Sequence, residues 1–153
     1  MILRWFGAKV GTGLVMSKPK VNIKFPWRLS IGNHVWIGES SWILNIAPVT
    51  IGDNVNIAQG AMLLTGNHYY QSVEFETIAR PIVLEDGVFI GAQTVVCPGV
   101  TCKSHSILGV GSVATHDLEP YKIYIGVPAV FKKDRVVMER SEFERKEKLK
   151  SQF

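Results

Sequence analysis

Aliphatic residues recur along this chain every six positions. Written in sixes, its middle reads Ile31-Gly-Asn-His-Val-Trp, Ile37-Gly-Glu-Ser-Ser-Trp, Ile43-Leu-Asn-Ile-Ala-Pro and, after two extra residues, Ile51-Gly-Asp-Asn-Val-Asn, Ile57-Ala-Gln-Gly-Ala-Met and Leu63-Leu-Thr-Gly-Asn-His. After an irregular stretch the period resumes at Leu84, Ile90, Val96, Cys102, Leu108 and Ala114. Of these twelve hexads, ten begin with Leu, Ile or Val and ten carry Ala, Val, Ser or Thr at the fifth place. A helix cannot produce the pattern: six residues at 3.6 per turn make about 1.67 turns, so successive aliphatics scatter around the axis. An ordinary strand alternates every two residues. What fits is a short strand and a turn per hexad, the first place pointing inward, a small fifth residue at a corner, and three hexads closing a triangular coil. Stacked coils put residues about eighteen apart over one another, which predicts the columns Leu84 over Cys102, Ile90 over Leu108 and Val96 over Ala114. Adjacent coils then pair as parallel strands about 4.8 Å apart, satisfying the backbone without helices. The fold class expected is all-β, a parallel β-helix.

The period weakens in two places. Residues 1–30 read as imperfect first coils: Phe25-Pro-Trp-Arg-Leu-Ser is in phase with Ile31, whereas Val10 and Met16 are offset by three. Leu63 and Leu84 are 21 residues apart, which is one hexad plus an insertion of 15, so residues 67–82 read as a loop thrown out from the prism. Loops of that length in a compact domain commonly carry function. Residues 134–151 lack Gly and Pro and mix Val136, Val137, Phe143 and Leu149 with many charges, which reads as a helix capping an open β-helix end. The division expected is a β-helix over 1–133 and a helical tail over 134–153.

Composition narrows this further. With 153 residues, 46% hydrophobic and 20% charged, the chain is one globular domain, neither disordered nor collagen-like. No apolar run is long enough to span a bilayer, and Met1–Gly7, with Arg4 in its middle, is too short for a leader's apolar region, so a cytoplasmic protein is expected. The net charge of +4 lies largely in Lys132–Lys150 on this reading, and no basic run interleaved with aromatics points to nucleic acid. Cys97 and Cys102 have neither redox nor zinc spacing, and they fall in the core register of the repeat.

Certain motifs are more specific than the period: Thr65-Gly-Asn-His68, Val88-Phe-Ile-Gly91 onward to Pro98-Gly-Val100, Gly109-Val-Gly-Ser-Val-Ala-Thr115 and Gly126-Val-Pro-Ala129. With the hexads, over roughly residues 8–133, they resemble the hexapeptide-repeat acyltransferases, and most closely sugar O-acetyltransferases of the colanic acid, maltose, galactoside and nodulation types. The resemblance implies a left-handed parallel β-helix, acetyl-CoA as co-substrate with no metal, a carbohydrate acceptor, and a homotrimer with sites between subunits.

Acyl transfer to a hydroxyl needs a base, an oxyanion donor and a way of holding both substrates. Histidine suits the first role. His34 and His105 occupy the fourth place of hexads, at exposed turns, and are expected to be surface residues. The resemblance makes His68 the catalytic base and the Ala92 amide, beside Gly91, the oxyanion donor. It places Gly109, Val110, Thr115, His116, Pro128 and Lys133 along the coenzyme A groove, with Gly126 beside them. Val110 is bulkier than the alanine often found there. His116 replaces a lysine and Val130 an arginine of the usual pattern, which leaves less cationic charge for the nucleotide phosphate. Asn45, Glu39, Tyr69 and Trp42 are the acceptor candidates, with Tyr70 next in line. Trp36 and Trp42 should lie on adjacent faces.

Two other readings compete. A γ-type carbonic anhydrase needs three histidines on zinc, two of them usually five apart, whereas here no pair is closer than the eleven of His105 and His116. An inactive β-helix acting as an assembly module shares the fold without the chemistry.

Overall fold

The computed structural model describes residues 2–17 and 20–150, the last two of these by their backbone only. A short helix α1 (Ile2–Trp5) precedes five coils of three strands. The first coil is β1 (Lys9–Val10), β2 (Val15–Met16) and β3 (Asn22–Ile23), and the second, after a 3₁₀ turn at Pro26–Arg28, is β4 (Leu29–Ile31), β5 (Trp36–Ile37) and β6 (Trp42–Leu44). The third is β7 (Val49–Ile51), β8 (Asn56–Ile57) and β9 (Met62–Leu64). A hairpin of β10 (Gly66–His68) and β11 (Thr77–Ala79) follows. The fourth coil is β12 (Ile82–Leu84), β13 (Phe89–Ile90) and β14 (Val95–Val96), the fifth β15 (Thr101–Cys102), β16 (Ile107–Leu108) and β17 (Val113–Ala114). The chain ends in β18 (Lys122–Gly126), β19 (Ala129–Asp134) and α2 (Arg140–Lys150).

The strands stack into three parallel faces, ordered β1-β4-β7-β12-β15, β2-β5-β8-β13-β16 and β3-β6-β9-β14-β17, with β18 and β19 extending the second. The expected columns are present: Leu84 pairs with Cys102, Ile90 with Leu108 and Val96 with Ala114. First-place residues fill the core, from Ile31 at 4% exposure to Ile37, Ile57, Leu63, Leu84, Ile90, Val96, Cys102, Leu108 and Ala114 at 0%. The small fifth residues Val35, Ser41, Val55, Ala61, Val88, Thr94, Ser106 and Ser112 are buried at the corners.

The turn geometry explains the fourth place. His34, Ser40, Asn54, Gln93 and His105 have φ between 53° and 59°, and Gly60, Gly87, Gly99 and Gly111 hold the equivalent positions with φ of 67° to 85°. Each of these corners thus uses one left-handed residue, which Gly, Asn or His supplies at low cost. Where the second place is Gly91, coil stacking leaves no room for a side chain: a Cβ there would lie 2.7 Å from Leu108 O and Val110 N.

Along the first corner, between the first and second faces, side chains of one coil cap the backbone of its neighbour. Thr12 N–H donates to Asn33 Oδ1 at 2.9 Å, Asn33 N–H to Asp53 Oδ1 at 2.6 Å and Asp53 N–H to Asp86 Oδ1 at 2.7 Å. Ser104 donates its N–H and hydroxyl to Glu85 Oε2, each at 2.7 Å. The bonds from Asn33 hold the Asp53 carboxyl below its ordinary value, and those from Ser104, side chain first, do so for Glu85.

Several expectations change. The insertion is a β-hairpin rather than a loop, with Gly66 opposite Ala79 and His68 opposite Thr77. The first coil is regular, but its columns run at 21 residues (Val10 to Ile31, Met16 to Ile37) and 20 (Ile23 to Ile43), which accounts for the offset of three. Helix α1, unforeseen, closes that end by burying Leu3. At the other end the regular coils stop with β17, short of 133: β18 runs parallel to β16, and β19 folds back antiparallel as far as Asp134. The helix starts only at Arg140, and residues 151–153 of the expected tail lie outside the described residues. His105 is half-buried, stacked on Tyr121 with ring centroids 4.8 Å apart, while Arg135 Nη1 donates to Gly87 O and His105 O at 2.8 and 2.9 Å and ties the end down.

Two stability measurements follow. Ile57→Ala, at the centre of the second face, is expected to cost about 2–5 kcal/mol in chemical denaturation. Carboxyls held below their ordinary values stabilise the fold above those values, and the contribution is lost as pH falls through the lowered folded values. Acid unfolding of Asp53→Asn with Glu85→Gln should therefore show a shallower loss of stability below about pH 4 than the parent.

Candidate functional site

His68 stands near the root of the hairpin that leaves the third corner, between the third and first faces. Its strand position is fixed on both sides: Tyr69 N–H donates to Glu76 O at 2.9 Å and Arg80 N–H to Thr65 O at 2.9 Å. The ring is exposed, and Nδ1 lies 2.7 Å from Phe75 O. A carbonyl oxygen only accepts, so in the neutral ring this contact puts the proton on Nδ1 and leaves the Nε2 lone pair toward solvent. This is the tautomer a base needs, set by the hairpin's own backbone.

Beside the hairpin, a cavity of about 330 Å³ is lined by Asn67, Ile78, Arg80, Cys97, Pro98 and Thr115. Of these only Thr115 was expected at a site. Arg80 is the sole Lys or Arg between Arg28 and Lys103, and that isolation at the end of an insertion was the available signal. His116 Nδ1 is 3.0 Å from Thr115 Oγ1, and both residues are exposed.

Gly91 and Ala92 lie at the second corner, between the second and third faces, with Gly109 and Val110 in the next coil. Gly91 N–H donates to Leu108 O at 2.8 Å, and Gly111 N–H to Ala92 O at 2.9 Å. At the first corner the N–H of a third-place residue is capped by Asn or Asp of the next coil. The residue so placed above Ala92 is Val110, whose side chain has no acceptor. His68 and Ala92 therefore stand at opposite edges of the third face. Pro128 sits exposed in the turn between β18 and β19, and Lys133, exposed, pairs with Ile123 across that hairpin.

The acceptor candidates separate. Tyr69 is exposed beside His68, its hydroxyl donating to Gln71 Oε1 at 3.3 Å. Asn45 is fully buried: Phe25 N–H donates to its Oδ1 at 3.0 Å and its Nδ2 donates to Phe25 O at 2.6 Å. Its amide joins two coils and presents no free group to a ligand. Glu39 is at the second corner, in a groove of about 420 Å³ with Ser17, Trp36 and Gln59. Trp42, on the face next to that of Trp36, lines a groove of about 240 Å³ with Lys20, Asn22, Ser40 and Ser41. Its buried Nε1 has no hydrogen-bond partner among the described residues. Those residues contain no group of His, Cys, Asp and Glu arranged to hold a metal ion.

A family model described as the hexapeptide repeat of succinyl-transferase matches residues 28–64 and 81–115. An Escherichia coli (strain K12) protein named as a colanic acid biosynthesis acetyltransferase is 34% identical over 138 residues, covering 90% of this chain and 75% of that one. A hexapeptide-repeat acetyltransferase from Vibrio cholerae, whose structure is also known complexed with acetyl coenzyme A, superposes with a TM-score of 0.82 at 31% identity, covering 89% of this chain and 78% of that chain. A galactoside acetyltransferase in complex with coenzyme A superposes with a TM-score of 0.80 at 28% identity, covering 87% of this chain and 68% of that one.

Cys97, in the cavity wall, and Cys102, in the core, can be told apart by reactivity. Burial raises the Cys97 thiol and pushes Cys102 up to about 12. At pH 8 a disulfide reagent should label Cys97 slowly and Cys102 only after unfolding, since the thiolate is the reactive form.

Proposed function

Since the chain belongs to the hexapeptide-repeat acetyltransferases, with their left-handed parallel β-helix, we propose that it moves the acetyl group of acetyl-CoA onto a hydroxyl of a sugar or polysaccharide precursor. It does so as a cytoplasmic homotrimer. The observation that carries this reading is the 2.7 Å contact of exposed His68 Nδ1 with Phe75 O, which turns Nε2 outward. Nε2 takes the proton of the acceptor hydroxyl as its oxygen attacks the thioester carbonyl, the carbon–oxygen bond forms, and the developing oxyanion receives the Ala92 N–H. As the carbon–sulfur bond breaks, the same imidazole returns the proton to the departing thiolate. Cys97 and Cys102, one half-buried and one in the core with its thiol raised, take no part, so transfer is direct within a ternary complex.

The separation of His68 from Ala92 supports a shared site. One copy supplies the base at its third corner and a second copy the amide at its second corner, and threefold closure repeats the arrangement. Tyr69 and Arg80 border the acceptor side of His68. Glu39 and Trp42 are farther along the second corner and meet the acceptor only across such an interface. Lys133 and His116 are the groups available to the nucleotide phosphate, and Gly109, Val110, Thr115 and Pro128 border the pantetheine arm.

Thiol release from acetyl-CoA over a panel of sugars tests this. His68→Ala should lower kcat about 10²–10⁴-fold while calorimetric acetyl-CoA binding persists, and Lys133→Ala should raise the acetyl-CoA KM with little change in kcat. Undiminished turnover in His68→Ala would remove the base assignment, and absence of both binding and turnover in the parent would leave an assembly module.

A further inference from the structure

The end of the prism capped by α1 differs from the rest of the molecule in charge and in exposed apolar groups. Residues 2–38 contain six basic residues and no Asp or Glu, whereas residues 39–131 contain three basic and eight acidic ones. The positive charge attributed to the C-terminal tail is thus concentrated more strongly at the opposite end. The same end exposes large apolar groups: Trp5 is 88% exposed, Ile2 70%, Phe6 60% and Trp27 60%. They belong to one surface. Leu3 and Ala8 are buried and hold α1 and its following turn onto the core, and a Cβ on Gly7 would lie 3.1 Å from Trp27 Cβ. Trp27 meets Phe25 edge to face at 5.5 Å, and the Arg28 guanidinium lies 5.8 Å from the Phe25 ring. Arg4 is spent within the chain, donating to Val10 O and Gly11 O, while Lys9, Lys20, Lys24 and Arg28 are exposed.

Exposed tryptophan and phenylalanine in the same acid-free stretch as exposed lysine and arginine match the boundary between lipid headgroups and acyl chains: aromatic rings favour that depth and cations favour anionic headgroups. No helix among the described residues is long and apolar enough to cross a membrane, and α1 has four residues, so the match is to surface attachment. We infer that Ile2, Trp5, Phe6 and Trp27, with Lys9, Lys24 and Arg28, dock this end of the prism onto an anionic lipid bilayer. The attachment is independent of the transferase reading. It leaves the corners carrying His68 and Ala92, on the flanks of the prism, facing the aqueous phase along the membrane.

Co-sedimentation of the full chain with vesicles tests it. Binding should be strong to equimolar phosphatidylcholine and phosphatidylglycerol, weak to phosphatidylcholine alone, and largely lost at about 0.5 M NaCl, where exposed charges are screened. Trp5→Ser with Trp27→Ser should weaken binding about tenfold or more, and Lys9→Gln and Lys24→Gln about fivefold per charge. Arg140→Gln with Lys146→Gln, on α2, should leave it unchanged. All these side chains are exposed, and unchanged thermal melting of each variant separates lost docking from lost folding. The proposal fails if the parent ignores anionic vesicles at low salt, or if the tryptophan and N-terminal lysine variants bind as well as the parent. It fails equally if single-stranded RNA binds as tightly with no need for Trp5 and Trp27, or if Trp5→Ser with Trp27→Ser disperses an oligomer while vesicle binding is nil, which would give the patch to a second copy.

Discussion

Everything in this molecule depends on the register of one coil on the next. Gly32 N–H bonds to Ile51 O and Gly52 N–H to Leu84 O, each at 2.8 Å, and the same bond recurs from Gly91 to Leu108. A slip of one residue would turn every first-place aliphatic outward and leave the backbone unpaired. The chain from Ile51 to Leu84 is 15 residues longer than a normal coil, yet the two residues are still partners. Extra chain is tolerated only if it leaves and re-enters at a corner without disturbing the column. The pairing of Gly66 with Ala79, with Arg80 N–H on Thr65 O, achieves this. The functional consequence is local: His68 lies two residues from that root, so the stiffness that preserves the register also places the imidazole.

The period made the coils readable, because a buried first place and a cramped fifth place constrain residue type wherever they recur. Features outside the period were much less visible. Val130, Phe131, Lys132 and Lys133 form an antiparallel strand with no alternation to reveal it, because β19 is exposed along most of its length. Thr77-Ile-Ala is too short to announce a hairpin. The handedness came from resemblance, since spacing is indifferent to it. The exposure of His68 within its motif was legible. Asn45 misled because a third-place polar residue reads as surface, and only the coordinates show its amide turned in to bind Phe25. Arg80 was passed over because a single arginine carries no pattern of its own.

The two kinds of corner show how one repeat serves two purposes. At the first corner, Asn33, Asp53 and Asp86 cap successive backbone N–H groups and make a closed polar ladder. At the second, Glu39, Gln59, Ala92 and Val110 stand in the equivalent positions with no such side-chain cap between coils among the described residues, and above Ala92 the aliphatic Val110 could not supply one. A hydrogen-bond donor left available on a rigid backbone needs no reorganisation when charge develops opposite it, which is the condition for effective oxyanion stabilisation. Under the proposed reading, the fold strengthens one edge with carboxylates and reserves another for chemistry.

The departures at His116 and Val130 bear on affinity more than on the reaction. Neither lies near His68 in the chain, and neither disturbs a coil: His116 is exposed beside Thr115, and Val130 pairs with Ile125 in the terminal hairpin. Under the proposed reading, an imidazole and an aliphatic side chain stand where the usual pattern has two cations, whose contacts with a phosphate are worth roughly twice a neutral hydrogen bond. Lys133, three residues beyond Val130, is held in β19 by pairing with Ile123, and the hairpin is anchored by Arg135 on Gly87 and His105. A cation on a fixed strand loses less conformational freedom on meeting a phosphate than one on a free tail. Under the proposed reading the loss of charge is in this way offset by placement, and the chemical step is left to His68 and the Ala92 amide.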